Sequence, residues 1–403
     1  MPHRRLLWGI VLGAVAGAFC GWFFGREMAA IAWIGEFFLR ALKMMIIPLI
    51  VAAVISGIAS VGDLHKMGRI GGYTVIYYLG TTALAVFIGL IAVNAIQPGT
   101  GITLASHTLP QQAASGKAAG IGDIILSLVS SSLVASAAKL DLLPIIVFSI
   151  LFGIALTTLG ERGATVTRFF DGVNEVMMKL VIWVMYLAPI GIFALIASRL
   201  GAAGGGMAFW REVASVGWYV LTVILGLAVH FCALFLVLVV FAGRGREYLF
   251  TLLRALVTAF GTASSSATLP LTMECAEEAG VDKRSLRFVL PLGATINMDG
   301  TALYEAIAAM FIAQAYGIHL DPASQIIVFI TATLAAIGAA GIPEAGLVTL
   351  LIVLSAVHLP AEGVGLLLAV DWFLDRVRTT VNVWGDCVGA AVIERYFLRG
   401  DKA

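Results

Sequence analysis

Apolar runs long enough to cross a bilayer follow one another along most of this sequence: Leu6–Phe24, Leu39–Ile58, Tyr73–Ile96, Leu142–Leu159, Leu180–Ile196 and Val216–Phe241. About 20 apolar residues wound as a helix match the hydrocarbon thickness of a bilayer. In that medium each backbone N–H and C=O must be satisfied within the protein, which a helix does within itself. The fold class expected is therefore an all-α polytopic membrane protein. Composition closes the soluble alternative, because 60% of the 403 residues are hydrophobic and only 12% are charged. A soluble domain carries about a quarter of its residues charged. The 25 basic and 24 acidic residues nearly cancel, so no nucleic-acid partner is expected. Cys20, Cys232, Cys275 and Cys387 lie far apart in apolar stretches and are expected to be free thiols. No Asn-x-Ser/Thr sequon occurs.

Basic residues orient the runs. Arg4 and Arg5 precede the first run. Lys66 with Arg69, Arg162 with Arg168, and Arg244 with Arg246 fall on alternate connections. These ends are expected on the cytoplasmic side, as are both termini. Six crossings are complete by Phe241, and the long small-residue connection Gln97–Lys139 is external. The first run is too long for a signal peptide and is followed directly by further runs.

Beyond Arg254 the pattern changes. The stretch Ala255–Ala279 is interrupted between Gly261 and Pro270, and Ile326–Leu359 is interrupted between Gly338 and Gly346. Backbone that leaves the helix at membrane depth must line a cavity inside protein. Two matching interrupted segments point to an inverted-repeat transporter with its site at the midplane. An ordinary span with a glycine kink is the plainer alternative. Between and after these stretches lie two spans with polar groups. Val289–Tyr316 contains Thr295, Asn297, Asp299, Gly300, Thr301 and Glu305, and a break near Gly300 would free carbonyl oxygens suited to an alkali cation.

The last span, Val364–Ile393, carries Asp371, Asp375, Arg376, Arg378, Asn382 and Asp386. At about 100° per residue, Asp371, Asp375, Arg378, Asn382 and Asp386 fall on one stripe roughly 80° wide. Its four charges would cost on the order of 10 kcal/mol facing lipid, so they face protein, water or ions. A purely structural ion-pair network would also satisfy that demand. Read as a site, Arg378 grips a carboxylate two-pronged while Asp375 accepts from an α-ammonium. Ser264, Ser265 and Ser266, or backbone amides at a hairpin tip, supply donors to an α-carboxylate. Asp299 and Asp386 are left with no cationic side chain to pair them, so bound sodium is expected to neutralise them. Ion and solute then favour each other's binding, which is the reciprocity a symporter needs.

Ser264-Ser-Ser-Ala-Thr268, Asn297-Met-Asp-Gly-Thr301, Gly341-Ile-Pro-Glu-Ala-Gly346 and the segment from Asp371 to Asp386 stand here in one order, together with Tyr77-Tyr78 and Thr81-Thr82. In these motifs the chain resembles the dicarboxylate/amino acid:cation symporter family, the glutamate transporters, over nearly its whole length. The resemblance implies eight transmembrane helices plus two re-entrant helical hairpins, in a homotrimer working as an elevator. Its scaffold would comprise residues 1–72 (spans 1 and 2) and 141–212 (spans 4 and 5), with 98–140 as the external loop. The transport unit would hold span 3 (73–97) and residues 213–403: span 6, hairpin 1 at 247–281, span 7 at 286–316, hairpin 2 at 323–359 and span 8 at 363–395.

Carried over motif by motif, the resemblance places substrate against Ser265, Thr301, the Ile342 carbonyl, Gly346, Asp375, Arg378, Thr379 and Asn382. One sodium would use Asp386 with carbonyls of Gly293, Asn297 and Asn382. A second would use carbonyls near Thr295, Ala336, Ile337 and Ala339, and a third Tyr78, Thr81, Thr82, Asn297 and Asp299. Ala336 and Ala339 replace hydroxyl residues found in some relatives, a small loss if only carbonyls coordinate. Arg378 is similar to the arginine of acidic-substrate members. Glu305 resembles the glutamate tied to proton cotransport and potassium countertransport in excitatory amino-acid transporters. A carboxyl in a low-dielectric span resists ionisation, which suits proton carriage. Ala263 together with Arg376 also resembles the excitatory type, whereas Glu344 departs from it. The compact external loop and missing sequons imply a prokaryotic member, in a bacterial inner membrane.

The expected function is sodium-driven uptake of glutamate or aspartate, with a proton in and potassium out and no organic cofactor. A C4-dicarboxylate symporter is the nearest alternative, but it gives Asp375 no ammonium to meet. An anion channel is the alternative from another class. An intramembrane hydrolase built on the serines lacks a Gly-x-Ser-x-Gly elbow. His230, His319 and His358 are scattered and read as core or loop residues, so no enzyme is expected.

Overall fold

The structure, a computed structural model, describes residues 2–59, 64–100, 126, 129–139, 142–202, 206–337 and 345–398. Every regular element among them is helical. In chain order these are α1 (Pro2–Phe24), α2 (Ala32–Ala59), α3 (Leu64–Ile96), α4 (Leu133–Lys139), α5 (Leu142–Thr158), α6 (Ala164–Met185), α7 (Ala188–Ala202) and α8 (Gly206–Val237). They continue as α9 (Arg246–Thr262), α10 (Ser265–Glu278), α11 (Lys283–Ile296), α12 (Asp299–Ala315), α13 (Pro322–Ile337), α14 (Ala345–Ala356) and α15 (Val364–Ile393). By length and composition alone, Gly71–Ile96 and Ala214–Ala242 qualify as crossings, and a third is gained if the bent pair α6–α7 counts as one. Shorter apolar helical stretches are Ile47–Ala59, Pro144–Thr158 and Pro322–Ile337.

Helix α1 lies along α7, and α2 packs on α5, α6 and α7. The contact of α1 with α7 is close because Gly13 and Gly17 leave room for the Pro189 and Phe193 carbonyls, the small-residue contact typical of helices in lipid. Helix α12 is the central pillar. All of its residues except Gln314 are buried, and it packs against α3, α8, α13, α14 and α15. A helix apolar and buried all round belongs in the interior of an assembly of helices. Its alanines at 302, 306, 308, 309 and 313 let five neighbours approach.

Three expectations need correction. The apolar run Leu180–Ile196 is not one helix: it straddles the junction of α6 and α7, which meet at 55° across Tyr186 and Leu187. Pro189, at the second position of α7, lacks an N–H to continue α6 but fits a helix start, and unbroken hydropathy hid the joint. The interruption of the stretch Ala255–Ala279 is also shorter than Gly261–Pro270. It is confined to Ala263, at φ 50, and Ser264, which caps α10 by accepting from the Ala267 amide at 3.1 Å. Pro270 sits inside α10. The break in the polar span, thirdly, falls at Asn297 and Met298, while Gly300 lies in the first turn of α12. Helix α15, by contrast, runs unbroken over Val364–Ile393 as the periodicity predicts.

Candidate functional site

The stripe on α15 is buried along its length: Asp371, Asp375, Arg378, Asn382 and Asp386 are all at most 6% exposed. Its Arg378, Asn382 and Asp386 meet the break between α11 and α12 and the first turns of α12. Two clusters of groups divide it.

The first centres on Arg378, which is fully buried. Its Nη2 donates to Asp375 Oδ1 at 2.8 Å. Its Nη1 stands 3.0 Å from Asp371 Oδ1, yet neither atom makes an aligned hydrogen bond. The Tyr304 ring covers the face of the guanidinium, 3.9 Å from Cζ. Gly346, in the first turn of α14, meets the other side: a β-carbon there would lie 3.1 Å from Arg378 Nη1 and 3.2 Å from Thr301 Cγ2. Asn382 joins this cluster by accepting from the Gly300 amide at 2.7 Å, with its own amide 3.5 Å from Thr301 Oγ1. Gly300 permits that junction, because a β-carbon would stand 2.7 Å from the Arg378 carbonyl oxygen. Thr379 is buried on the same helix.

The second cluster holds the two other carboxylates. Asp386 Oδ1 accepts from Asn297 Nδ2 at 2.8 Å. A β-carbon at Gly293 would collide with Asp386 Oδ1 and Tyr78 Oη, so the Gly293 backbone lies against both. The Tyr78 hydroxyl donates to the Val289 carbonyl at 2.8 Å. Asp299 Oδ1 accepts from Thr82 at 2.7 Å and from Thr81 at 3.4 Å. Asp299 Oδ2 lies 2.9 Å from His230 Nε2, with both side chains fully buried. Asp299 therefore has an imidazole partner that the sequence reading did not assign to it. His230 does belong to the core, but α8 aims its ring at this carboxylate.

The remaining predicted residues are placed as follows. Ser264 and Ser265 are buried at the start of α10, and Ser266 is exposed. Arg376 donates through Nη1 to the carbonyls of Phe260 at 3.0 Å and Gly261 at 2.7 Å, so α15 caps the C-terminal end of α9. Thr295 is exposed and bonds back to the Pro291 carbonyl at 3.1 Å. Ala336 is buried and Ile337 half-buried. The Ile337 carbonyl and Ile296 Cγ2 both lie 3.7 Å from where a Gly57 β-carbon would stand, which brings the ends of α11 and α13 to one place. Ala339, Ile342 and Glu344 lie outside the described residues. Glu305 is fully buried, with no hydrogen bond to either carboxylate oxygen.

Sequence reasoning missed two partners. Asp371 was on the stripe but was assigned no contact, and His230 looked isolated because its partner is 69 residues away on another helix. The signal available for both was charge balance, since each buried charge needs a neighbour.

Among the described residues every regular element is helical and a row of charges is buried between helices, an arrangement consistent with a membrane transport protein. The sequence profile of the sodium:dicarboxylate symporter family matches residues 6–396. The chain is 40% identical to an excitatory amino acid transporter of Caenorhabditis elegans, over 96% of this chain and 86% of that protein. It is 38% identical to excitatory amino acid transporter 2 of Homo sapiens, over 98% of this chain and 79% of that one. It is also 38% identical to neutral amino acid transporter B(0) of Bos taurus, with the same two coverages. The chain belongs to the sodium:dicarboxylate symporter family, and it is a multi-pass membrane protein.

Proposed function

We propose that this protein couples sodium to the uptake of an acidic amino acid, glutamate or aspartate. The observation that carries this reading is the buried guanidinium of Arg378, held between carboxylates and facing Gly346 and Thr301. A zwitterionic acid with a second carboxylate offers what this cluster needs: an anion for Arg378 and an ammonium for Asp375. The names of the excitatory relatives support the same class. The neutral transporter is equally similar overall, so the argument against a neutral solute rests on Arg378. A C4-dicarboxylate would leave Asp375 unmatched, and a plain anion channel would not need the oxygen clusters around Asp299 and Asp386.

In this reading Ser264, Ser265, Ser266, Thr301, Gly346, Asp375, Arg378, Thr379, Asn382 and the Ile342 carbonyl meet the solute. Sodium is cargo. The hard-oxygen surroundings suit it: Asp386 with the Gly293, Asn297 and Asn382 carbonyls, Asp299 with Thr81, Thr82, Tyr78 and Asn297, and the carbonyls near Thr295, Ala336, Ile337 and Ala339. Two buried carboxylates of like sign are costly until cations join them, so ion binding stabilises the arrangement that receives solute. Glu305 would carry the proton in and leave room for potassium on the return.

We further infer the finer architecture. There would be eight crossings and two re-entrant hairpins, with residues 1–72 and 141–212 as scaffold, 98–140 as external loop, and 73–97 with 213–403 as a unit that slides as an elevator. The assembly would be a homotrimer in a bacterial inner membrane with both termini cytoplasmic. The test is uptake of labelled L-aspartate into proteoliposomes. Uptake should require an inward sodium gradient and collapse in Arg378→Ala; uptake indifferent to sodium would end the proposal.

A further inference from the structure

Arg378 has two carboxylate neighbours, and only one of them is hydrogen-bonded to it. Asp375 engages Nη2 at 2.8 Å. Nε and Nη1 are buried and make no hydrogen bond, so these are the donors open to a solute carboxylate. Asp371 Oδ1 already stands 3.0 Å from Nη1. A solute carboxylate arriving at that edge therefore meets a second anion at contact distance, in a place that is 2% exposed or less. Like charges juxtaposed in such an interior repel strongly. One of the anions must move.

Asp375 is fixed by its bond to Nη2, whereas both oxygens of Asp371 are buried and make no hydrogen bond. Two phenols adjoin the same guanidinium: the Tyr304 ring lies 3.9 Å from Arg378 Cζ, and the Tyr219 ring is 6.2 Å from that of Tyr304, centroid to centroid. Both hydroxyls are buried and make no aligned hydrogen bond. They are donors that a displaced carboxylate could fill, and a buried carboxylate gains by filling donors.

We propose that Asp371 is a displaceable counter-ion and a specificity-determining residue of the solute site. It neutralises Arg378 when no solute carboxylate is present, and it turns to the Tyr304 and Tyr219 hydroxyls when one takes Nη1. Only a solute carrying an anion at that position displaces it, so a neutral solute gains nothing from Arg378. The inference rests on the proposed acidic amino-acid site.

The test is L-aspartate binding to the purified full-length protein in lipid nanodiscs at saturating sodium, measured by titration calorimetry. Asp371→Asn keeps the shape and removes the competing charge. It should bind L-aspartate about tenfold tighter and leave competition by L-serine unchanged. Tyr304→Phe keeps the ring against Arg378 but removes the hydroxyl. It should weaken L-aspartate binding in the parent protein and have no effect in the Asp371→Asn background. Weaker or unchanged binding in Asp371→Asn, or additive effects in the double variant, overturns the assignment. If Asp371→Asn does not purify folded, Tyr304→Phe alone decides: weaker binding supports it, and unchanged binding overturns it. Absence of sodium-dependent L-aspartate binding in the parent protein would instead refute the functional reading on which the inference rests.

Discussion

His230 Nε2 lies 2.9 Å from Asp299 Oδ2, and neither side chain reaches solvent. The other oxygen of Asp299 takes the Thr82 and Thr81 hydroxyls. The imidazole therefore fixes the plane of a carboxylate whose remaining lone pairs point toward α3. If Asp299 holds sodium as proposed, a partner of this kind orients the ligand group without touching the ion itself. Replacing it with Leu strands a buried acceptor, at a cost of about 1–3 kcal/mol. The expected result for His230→Leu is a lower thermal midpoint and a several-fold rise in the sodium concentration needed for half-maximal stabilisation. A sodium titration followed by melting temperature checks it, and an unchanged titration would separate His230 from ion binding.

Arg376 reaches from α15 to the last carbonyls of α9, bonding Gly261 at 2.7 Å. A cation at a helix C-terminus satisfies orphan acceptors and complements the dipole. Arg376→Ala should loosen the junction of α9 and α10 by roughly 0.5–1.5 kcal/mol. Hydrogen exchange at the amides of residues 262–266 should speed up, while exchange in α12 stays as it was.

Gly300 is a contact point rather than a hinge. A β-carbon there would press 2.7 Å from the Arg378 carbonyl oxygen and 2.9 Å from its Cα, where only backbone can yield. Gly300→Ala is expected to cost about 1–3 kcal/mol as overpacking and to lower L-aspartate affinity through Arg378. Gly261→Ala, whose β-carbon meets nothing within 4 Å, serves as the control in a thermal-shift comparison.

Glu305 sits in α12, all of whose residues but Gln314 are buried, and makes no hydrogen bond through either oxygen. Glu305→Gln, which imitates the protonated form, should leave sodium-driven exchange intact. It should abolish the dependence of net uptake on internal potassium in proteoliposomes. Persistent potassium dependence would remove Glu305 from that role.

Much of this organisation was legible before any coordinates, and the exceptions have physical causes. Helix α15 could be read to its ends because charge at helical spacing in an apolar run has one economical explanation. The break between α9 and α10 was recognisable by its small residues, but Pro270 exaggerated it, because a proline read from sequence suggests a helix end whereas this one lies inside α10. The α6–α7 joint left no trace in hydropathy because both sides of it are apolar. Gly300 was read through helix propensity when packing governs it. The pairings of His230 with Asp299 and of Asp371 with Arg378 differ in kind: the second joins two residues of one helix stripe and was within reach of the spacing though not drawn from it, whereas the first joins distant helices and could be reached only through the charge left over at Asp299.

Because α15 is one uninterrupted helix, Arg378 and Asp386 are bolted eight residues apart, about 12 Å along a common axis. If the proposed solute and cation seats are right, they are mounted on a single stiff spar and would share every displacement of it. The freight would then travel as one consignment.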